Sequence, residues 1–257
     1  MIRQILSYAW PFAAKPAQPI SENDERLFQH VAADDVFLTA YPGSGNTWVR
    51  CLLMSYRYPD RDLDTATIQR TMPDLHQGID EGFFAAPGPR IVESHSLYCD
   101  AYPKVLYVLR DGRDCYWSYY TAQKQTHGYE KSFERFFYEA SAGHVWPSSW
   151  HDHVQSWIEY DDHAPMHIVR FEDLLAQPLT QLKMIVAFIG WSWDEASAAR
   201  AIQRASRACI SNGADEVDKH DGTDGQAGAW RDVYSPRMRQ DFEQVSAGLL
   251  RRFGYDA

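Results

Sequence analysis

Positive charge is what this sequence has too little of: 25 Lys and Arg stand against 35 Asp and Glu, a formal net charge of -10. Proteins that wrap nucleic acid draw their affinity from displaced counterions and need a broad basic face, so the balance argues against that class. Any anionic ligand has to be met by a local cluster of donors. Cysteine is also scarce. Cys51, Cys99, Cys115 and Cys209 are widely spaced and form no C-x-x-C pair, which points to reduced thiols in a cytoplasmic protein rather than a disulfide framework. Long apolar runs are absent too, none approaching the roughly 18 residues that a spanning helix requires. In the opening "MIRQILSYAWPFAAKPAQPI", Pro11 interrupts the apolar run and no small-residue cleavage site follows. Residues 1–20 therefore read as a packed or interfacial arm of a single domain over 1–257.

With 45% hydrophobic and 23% charged residues, a chain of 257 residues suits one domain with a sizeable core. Ser21 and Asp24 resemble an N-cap and its third-position acid ahead of "NDERLFQHVA". Apolar runs bounded by turn residues predict strands at Val36–Ala40, at "RIVESH" from Arg90, at "KVLYVLR" from Lys104 and at "MHIVRFE" from Met166. Helical periodicity fills the intervals, over 46–58, 113–123, 132–142 and 149–160, then in "LTQLKMIVAFIG", "DEASAARAIQRAS" and "PRMRQDFEQVSAGLLRRFGY". The stretch 59–89 is crowded with Pro and Gly and reads as a loop that shapes a binding site; 212–229, rich in Gly and Asp, reads as a flexible loop. Strands separated by helices imply a three-layer α/β/α fold with a central parallel sheet, whose ligands collect at the strand ends.

Two segments carry the chemistry. In "AYPGSGNTW" a strand stops at a Pro-Gly-Ser-Gly turn and restarts as a helix, leaving backbone N–H groups aimed at one spot that suits a phosphate. Gly43 and Gly45 let the chain curl closely around oxygens, and Asn46 and Thr47 can donate from their side chains. Set against G-x-x-x-x-G-K-[ST], the segment has Ala40 for the first Gly and Asn46 for the Lys, so a nucleoside triphosphate is a poor fit and an ATP-dependent kinase is disfavoured. In "YVLRDGRDCYWSYY", Arg110 ends an apolar strand and Ser118 lies one to two turns into the next helix, a guanidinium and a hydroxyl suited to a second anion. The alternative for this segment is that Arg110, Asp111, Arg113 and Asp114 cap and pair around the helix start.

These segments resemble the two nucleotide motifs of the cytosolic-type sulfotransferases, YPKSGTTW or FPRSGNTW for the 5′-phosphosulfate loop and LRDPRDVxVSYY for the 3′-phosphate site. "RIVESH", "RFEDLLAQP" and "GQAGAWRDVYS" extend the similarity over most of the chain. The resemblance implies a phosphate-loop fold and 3′-phosphoadenosine 5′-phosphosulfate (PAPS) as co-substrate, with no metal. It places Gly43, Ser44, Gly45, Asn46 and Thr47 around the phosphosulfate, Trp48 against the adenine, and Arg110 and Ser118 on the 3′-phosphate. His95 aligns with the family's catalytic base, and the acceptor is a hydroxyl, less readily an amine, of a small molecule or glycan.

Three positions depart from the family pattern. Gly43 stands where relatives have Lys or Arg, and Glu93 replaces the Lys two residues before the base. Both changes remove positive charge from the leaving phosphate, where each electrostatic contact is often worth about 2 to 4 kcal/mol in the transition state. Lys219, Arg231 and Lys104 are candidate substitutes, with Lys219 the choice for the late loop, where the family's Arg-Lys-Gly gives way to Thr223, Asp224 and Gly225. Glu93 is itself a candidate base with His95 as its partner. These departures also keep open a nucleotide-binding protein of this fold with weak catalysis and a regulatory role.

Other groups read as structural. His151 and His153 diverge on a helix whose Trp150, Val154 and Trp157 form a packing face, so no metal site is expected there. The acidic "GADEVDKHDGTDG" lacks the spacing and final Glu of a calcium loop.

Overall fold

The computed structural model describes residues 28–159, 164–211 and 226–255. The start of the expected helix from Ser21 and most of the flexible loop, with Lys219, Thr223, Asp224 and Gly225, lie outside them; the described end of that segment, 28–32, turns rather than continuing as a helix.

Four parallel strands form the sheet: β1 (Val36–Ala40), β2 (Ile91–Ser94), β3 (Val105–Leu109) and β4 (Met166–Arg170). Their order is β2-β1-β3-β4. Between β1 and β2 lie α1 (Asn46–Arg57), α2 (Thr65–Thr71) and two short turns of 3-10 helix; α3 (Gly112–Thr126), α4 (Phe133–Ser141) and α5 (Trp150–Glu159) follow β3. After β4 come α6 (Phe171–Ala176), α7 (Pro178–Ile189), α8 (Glu195–Ser211), α9 (Trp230–Val233) and α10 (Pro236–Arg252). The stretch 59–89 is therefore less irregular than its Pro and Gly content implies. Asp64 caps α2 by accepting from the Thr67 amide at 2.9 Å, a local signal that the surrounding turn residues obscure.

Alternate strand residues feed two cores, because successive side chains point to opposite faces. Val36, Leu38 and Ala40 of β1, with Leu106 and Val108 of β3, pack against α1, α7 and α8. Phe37 and Tyr41, with Val105, Tyr107 and Leu109, pack against α3, α4, α5 and α10. Ala198, Ala201 and Ala205 present small side chains on α8, all buried in the first core. Trp150, Val154 and Trp157 form the expected packing face of α5 in the second core. With both faces covered, the strands are apolar runs and the sheet is the middle of three layers.

The order of the strands fixes where a ligand can sit. From β1 the chain moves to one side to make β2, then crosses back to the other side for β3 and β4. Neighbouring connections thus leave β1 and β3 in opposite directions and open a crevice at their carboxyl ends. The segments after Ala40 and after Leu109 both begin there.

Candidate active site

The loop after β1 is shaped by its glycines. Gly43 has φ +83° and Gly45 φ +97°, in the left-handed region that favours glycine. Space makes the same demand: a Cβ at Gly43 would lie 2.6 Å from the carbonyl oxygen of Cys115 and 3.2 Å from the Cβ of Ser118, and one at Gly45 would lie 2.4 Å from the ring of Phe171. Gly45 caps α1 without any side-chain bond, so the first-turn amides face the crevice with the positive helix end behind them. Ser44 is buried beside Cys115, with Oγ 3.3 Å from Sγ; burial pushes that thiol well up, keeping it protonated. Asn46 is 5% exposed, and neither its Oδ1 nor its Nδ2 has a hydrogen-bond partner. A buried amide of this kind is satisfied by ordered water or by a ligand group. Together with Thr47, which is exposed, this donor set fits an anion.

Arg110 leaves the end of β3 directly into this loop. Its Nη1 donates to the carbonyl of Gly43 at 2.9 Å and its Nη2 to that of Gln226 at 3.3 Å, while its guanidinium lies 4.7 Å from the centre of the Phe171 ring. Phe171 also meets Trp48 edge-on at 6.0 Å. One ring thus supports the loop glycine, the arginine and the indole. Ser118 of α3 borders the same loop, its Cβ 3.2 Å from where a Cβ at Gly43 would lie.

The other charged residues of this segment pair structurally, as the capping alternative holds. Asp111 caps α3 by accepting from the Arg113 amide at 2.9 Å, and its carboxylate takes the Arg113 guanidinium at 2.7 Å. Arg113 in turn lies 3.8 Å from the centre of the Trp230 ring. Asp114 accepts from the amides of Gly228 at 2.7 Å and Trp230 at 3.0 Å, so it fastens the 226–230 turn against α3. Burial raises its pKa, against the pull of Arg110 and of these two amides.

His95 follows β2 and reaches across to β1. Its Nδ1 is 2.7 Å from the carbonyl of Ala40, which fixes the hydrogen on Nδ1 and leaves the lone pair on Nε2. His153 donates from Nε2 to the His95 carbonyl at 3.1 Å and accepts on Nδ1 from the Tyr107 hydroxyl at 2.9 Å. The His76 ring stacks at 6.4 Å, and Trp146, 42% exposed, stands edge-on at 5.8 Å. Glu93 has one carboxylate oxygen 3.7 Å from His95 Nε2 and the other in an ion pair with Arg50 of α1.

The candidate substitute cations fare differently. Lys104 precedes β3, with its ammonium 4.9 Å from the centre of the Phe188 ring, at the opposite end of the sheet from the loop. It cannot serve the crevice. Arg231 lies over Gly228, within 2.4 Å of where a Cβ there would sit, and is exposed.

A family model for the sulfotransferase domain matches residues 33–254. The chain belongs to the sulfotransferase domain family. Its relatives include bovine sulfotransferase 1A1, 28% identical over 192 residues that make up 67% of this chain and 64% of that protein. Human sulfotransferase 1C2 is 25% identical over 243 residues, 82% of this chain and 81% of that one. The fold is similar to that of a mouse sulfotransferase complexed with PAP, with a TM-score of 0.66 at 22% identity over 86% of this chain and 85% of that one. Retinol dehydratase, in complex with androsterone and inactive cofactor PAP, gives 0.64 at 18% identity over 86% and 81%. This sulfotransferase-family chain therefore has the three-layer α/β/α fold with a parallel sheet. Among the described residues no helix is long and apolar enough to cross a membrane, and no group of three or more His, Cys, Asp or Glu could hold a metal ion.

Sequence reasoning missed Arg50 and His76. Arg50 carried a usable signal, a lone charge inside the apolar run "WVRCLLM" of α1. His76, in a segment read as loop, carried none.

Proposed function

We propose that this chain moves a sulfuryl group from PAPS to a hydroxyl, less readily an amine, of a small-molecule or glycan acceptor, without a metal. The observation that carries this reading is the buried, unsatisfied Asn46 amide at a helix start joined through Gly43 to Arg110, which sets two anion sites in one crevice. Gly43, Ser44, Gly45, Asn46 and Thr47 hold the 5′-phosphosulfate, Arg110 and Ser118 hold the 3′-phosphate, and Trp48 supports the adenine. Lys219, outside the described residues, is assigned a phosphate contact in this reading. The nucleotide supplies an activated sulfuryl group; the protein aligns it and stabilises charge, as in phosphoryl transfer.

His95 is the base in this reading. With Nδ1–H held by the Ala40 carbonyl, Nε2 takes the proton that the acceptor oxygen loses as it attacks sulfur. Glu93 is less suited to that task, since Arg50 holds its carboxylate in a buried ion pair. The exposed face of Trp146 and the His76 ring flank His95 and provide surfaces for the acceptor. In this reading the chain works in the cytoplasm as a single sulfotransferase domain.

Binding of 3′-phosphoadenosine 5′-phosphate (PAP) tests this reading: calorimetry is expected to show a one-site isotherm, and no heat or thermal shift at millimolar ligand would overturn it. Gly43 favours one second reading, a nucleotide-binding protein with weak catalysis, because the close packing of α3 leaves no room for a loop lysine. Transfer of labelled sulfate to any member of a broad acceptor panel excludes it.

A further inference from the structure

The ion pair between Arg50 and Glu93 has no place in the loop chemistry, yet it lies between the two parts of the site. Arg50 is on α1, one helical turn beyond Asn46, and is 7% exposed; Glu93 is on β2, two residues before His95, and is 4% exposed. Two charges this deep would be a liability if either stood alone. Arg50 does more than neutralise its partner. It also donates through Nη2 to the carbonyl of Met72 at 2.5 Å and to Gln69 Oε1 at 3.2 Å. The guanidinium therefore ties α1 to the residues just before His76, the same residue whose Nε2 accepts from the His95 amide at 3.2 Å.

We propose that Arg50 and Glu93 act as a positioning pair for His95: Arg50 holds Glu93 as an anion beside Nε2, where it meets the positive charge that grows on the ring during transfer. This assignment rests on the sulfotransferase reading above. In that step the acceptor O–H bond breaks and its proton goes to His95 Nε2; the acceptor oxygen forms a bond to sulfur as the bond from sulfur to the bridging phosphate oxygen breaks, and that oxygen keeps the electron pair. The ring becomes an imidazolium with the Ala40 carbonyl on Nδ1 and the Glu93 carboxylate 3.7 Å from Nε2. A fixed counter-charge needs no reorganisation at that moment, and so lowers the barrier to proton removal. The groups facing His95 from the other elements are His76, whose ring stacks on it, and His153, on its carbonyl; Asp74 is occupied with the His76 and Gln77 side of the turn, accepting from the His76 amide at 2.9 Å. Among these described neighbours Glu93 is the one whose carboxylate reaches Nε2.

The same pair accounts for one departure from the family motif, the acid at Glu93. An acid two residues before the base would repel a leaving phosphate if unpaired. Paired with an arginine from the loop helix, it adds no net charge, and its effect is confined to the ring it touches.

The test compares wild type with Glu93→Gln, Arg50→Met, Arg50→Lys and the double variant Arg50→Met with Glu93→Gln, each measured for PAP affinity by calorimetry and for kcat and KM with a good acceptor. Glu93→Gln is expected to keep wild-type PAP affinity and KM while kcat falls roughly ten- to a hundredfold. Arg50→Met is expected to match it, and the double variant to be no slower than the slower single one, because the two residues act as a unit. Arg50→Lys recovers part of the rate by restoring the charge. If Arg50→Met fails to fold, the double variant, which buries no lone charge, still decides. Wild-type kcat in a folded Glu93→Gln, or losses that multiply in the double variant, overturn the assignment while leaving the sulfotransferase reading intact; a wild-type protein that binds PAP and transfers nothing overturns both.

Discussion

Arg110 donates from Nη1 to the carbonyl of Gly43 at 2.9 Å, so the residue that ends β3 and the loop that ends β1 share a hydrogen bond across the crevice where the strand order reverses. That bond fixes how far apart the two proposed anion sites can be. Arg110 is 3% exposed and its guanidinium lies 4.7 Å from the centre of the Phe171 ring, partly desolvated, so an anion reaching it meets a strong field.

Arg110→Ala is therefore expected to weaken PAP binding by roughly a hundredfold or more, about 2.7 kcal/mol. Arg110→Lys keeps a charge but loses the fork that reaches both the loop and the ligand, and should fall between the two. Calorimetric titration decides, and equal affinities for wild type and Arg110→Ala would rule out the 3′-phosphate role.

Restoring the lysine that relatives carry at the loop should harm this chain. At Gly43 the backbone is left-handed and a Cβ would press on the Cys115 carbonyl, which belongs to a helix and cannot give way cheaply. Gly43→Lys and Gly43→Ala should each lose about 1–3 kcal/mol of stability. Denaturant unfolding reads the loss directly. A variant as stable as wild type, with faster transfer, would show that the loop moves freely and that the packing argument is wrong.

The strands, their parallel direction and the turns that end β1 and β3 were legible because each depends on local pattern: apolar runs of strand length, turn residues at their ends, and helix starts rich in donors. The capping role of Asp111 was legible for the same reason. The pairing of Arg50 with Glu93 was not, because a partner across 43 residues of chain leaves no trace in periodicity. Nor was the fate of Lys104, which sits in the same apolar strand as Arg110 but at its other end, where only strand direction decides its reach. Gly43 read as a missing lysine in the sequence; in three dimensions it is a point where α3 touches the loop.

His95→Ala and His95→Gln separate binding from chemistry. The ring touches the Ala40 carbonyl and faces the crevice, and it makes no bond to the loop side chains assigned to the nucleotide. Both variants should hold PAP within about twofold of wild type, while kcat falls by roughly 10² to 10⁴. Stopped assays with purified protein and an independent affinity measurement give the two numbers. Equal losses in both would mean that His95 supports the nucleotide site and is not the base.

The backbone of His95 depends on a second histidine, and that dependence makes fold stability sensitive to acid. His153 is fully buried, and burial lowers its pKa from 6.5 to about 3. It must stay neutral to accept from the Tyr107 hydroxyl while donating to the His95 carbonyl. Below pH 6.5 the unfolded chain takes up a proton that the folded chain refuses, so the contribution is whole above that value and drains as pH falls toward about 3. Within this window the slope from one such group approaches about 1.4 kcal/mol per pH unit. His153→Gln can keep both hydrogen bonds without a titrating ring, and should therefore lose less stability than wild type between pH 6.5 and 4. His151 and His167, whose values burial also lowers, keep their own share in both proteins. Parallel stability curves for the two would place the acid sensitivity in those residues and leave His153 without its buried, neutral role.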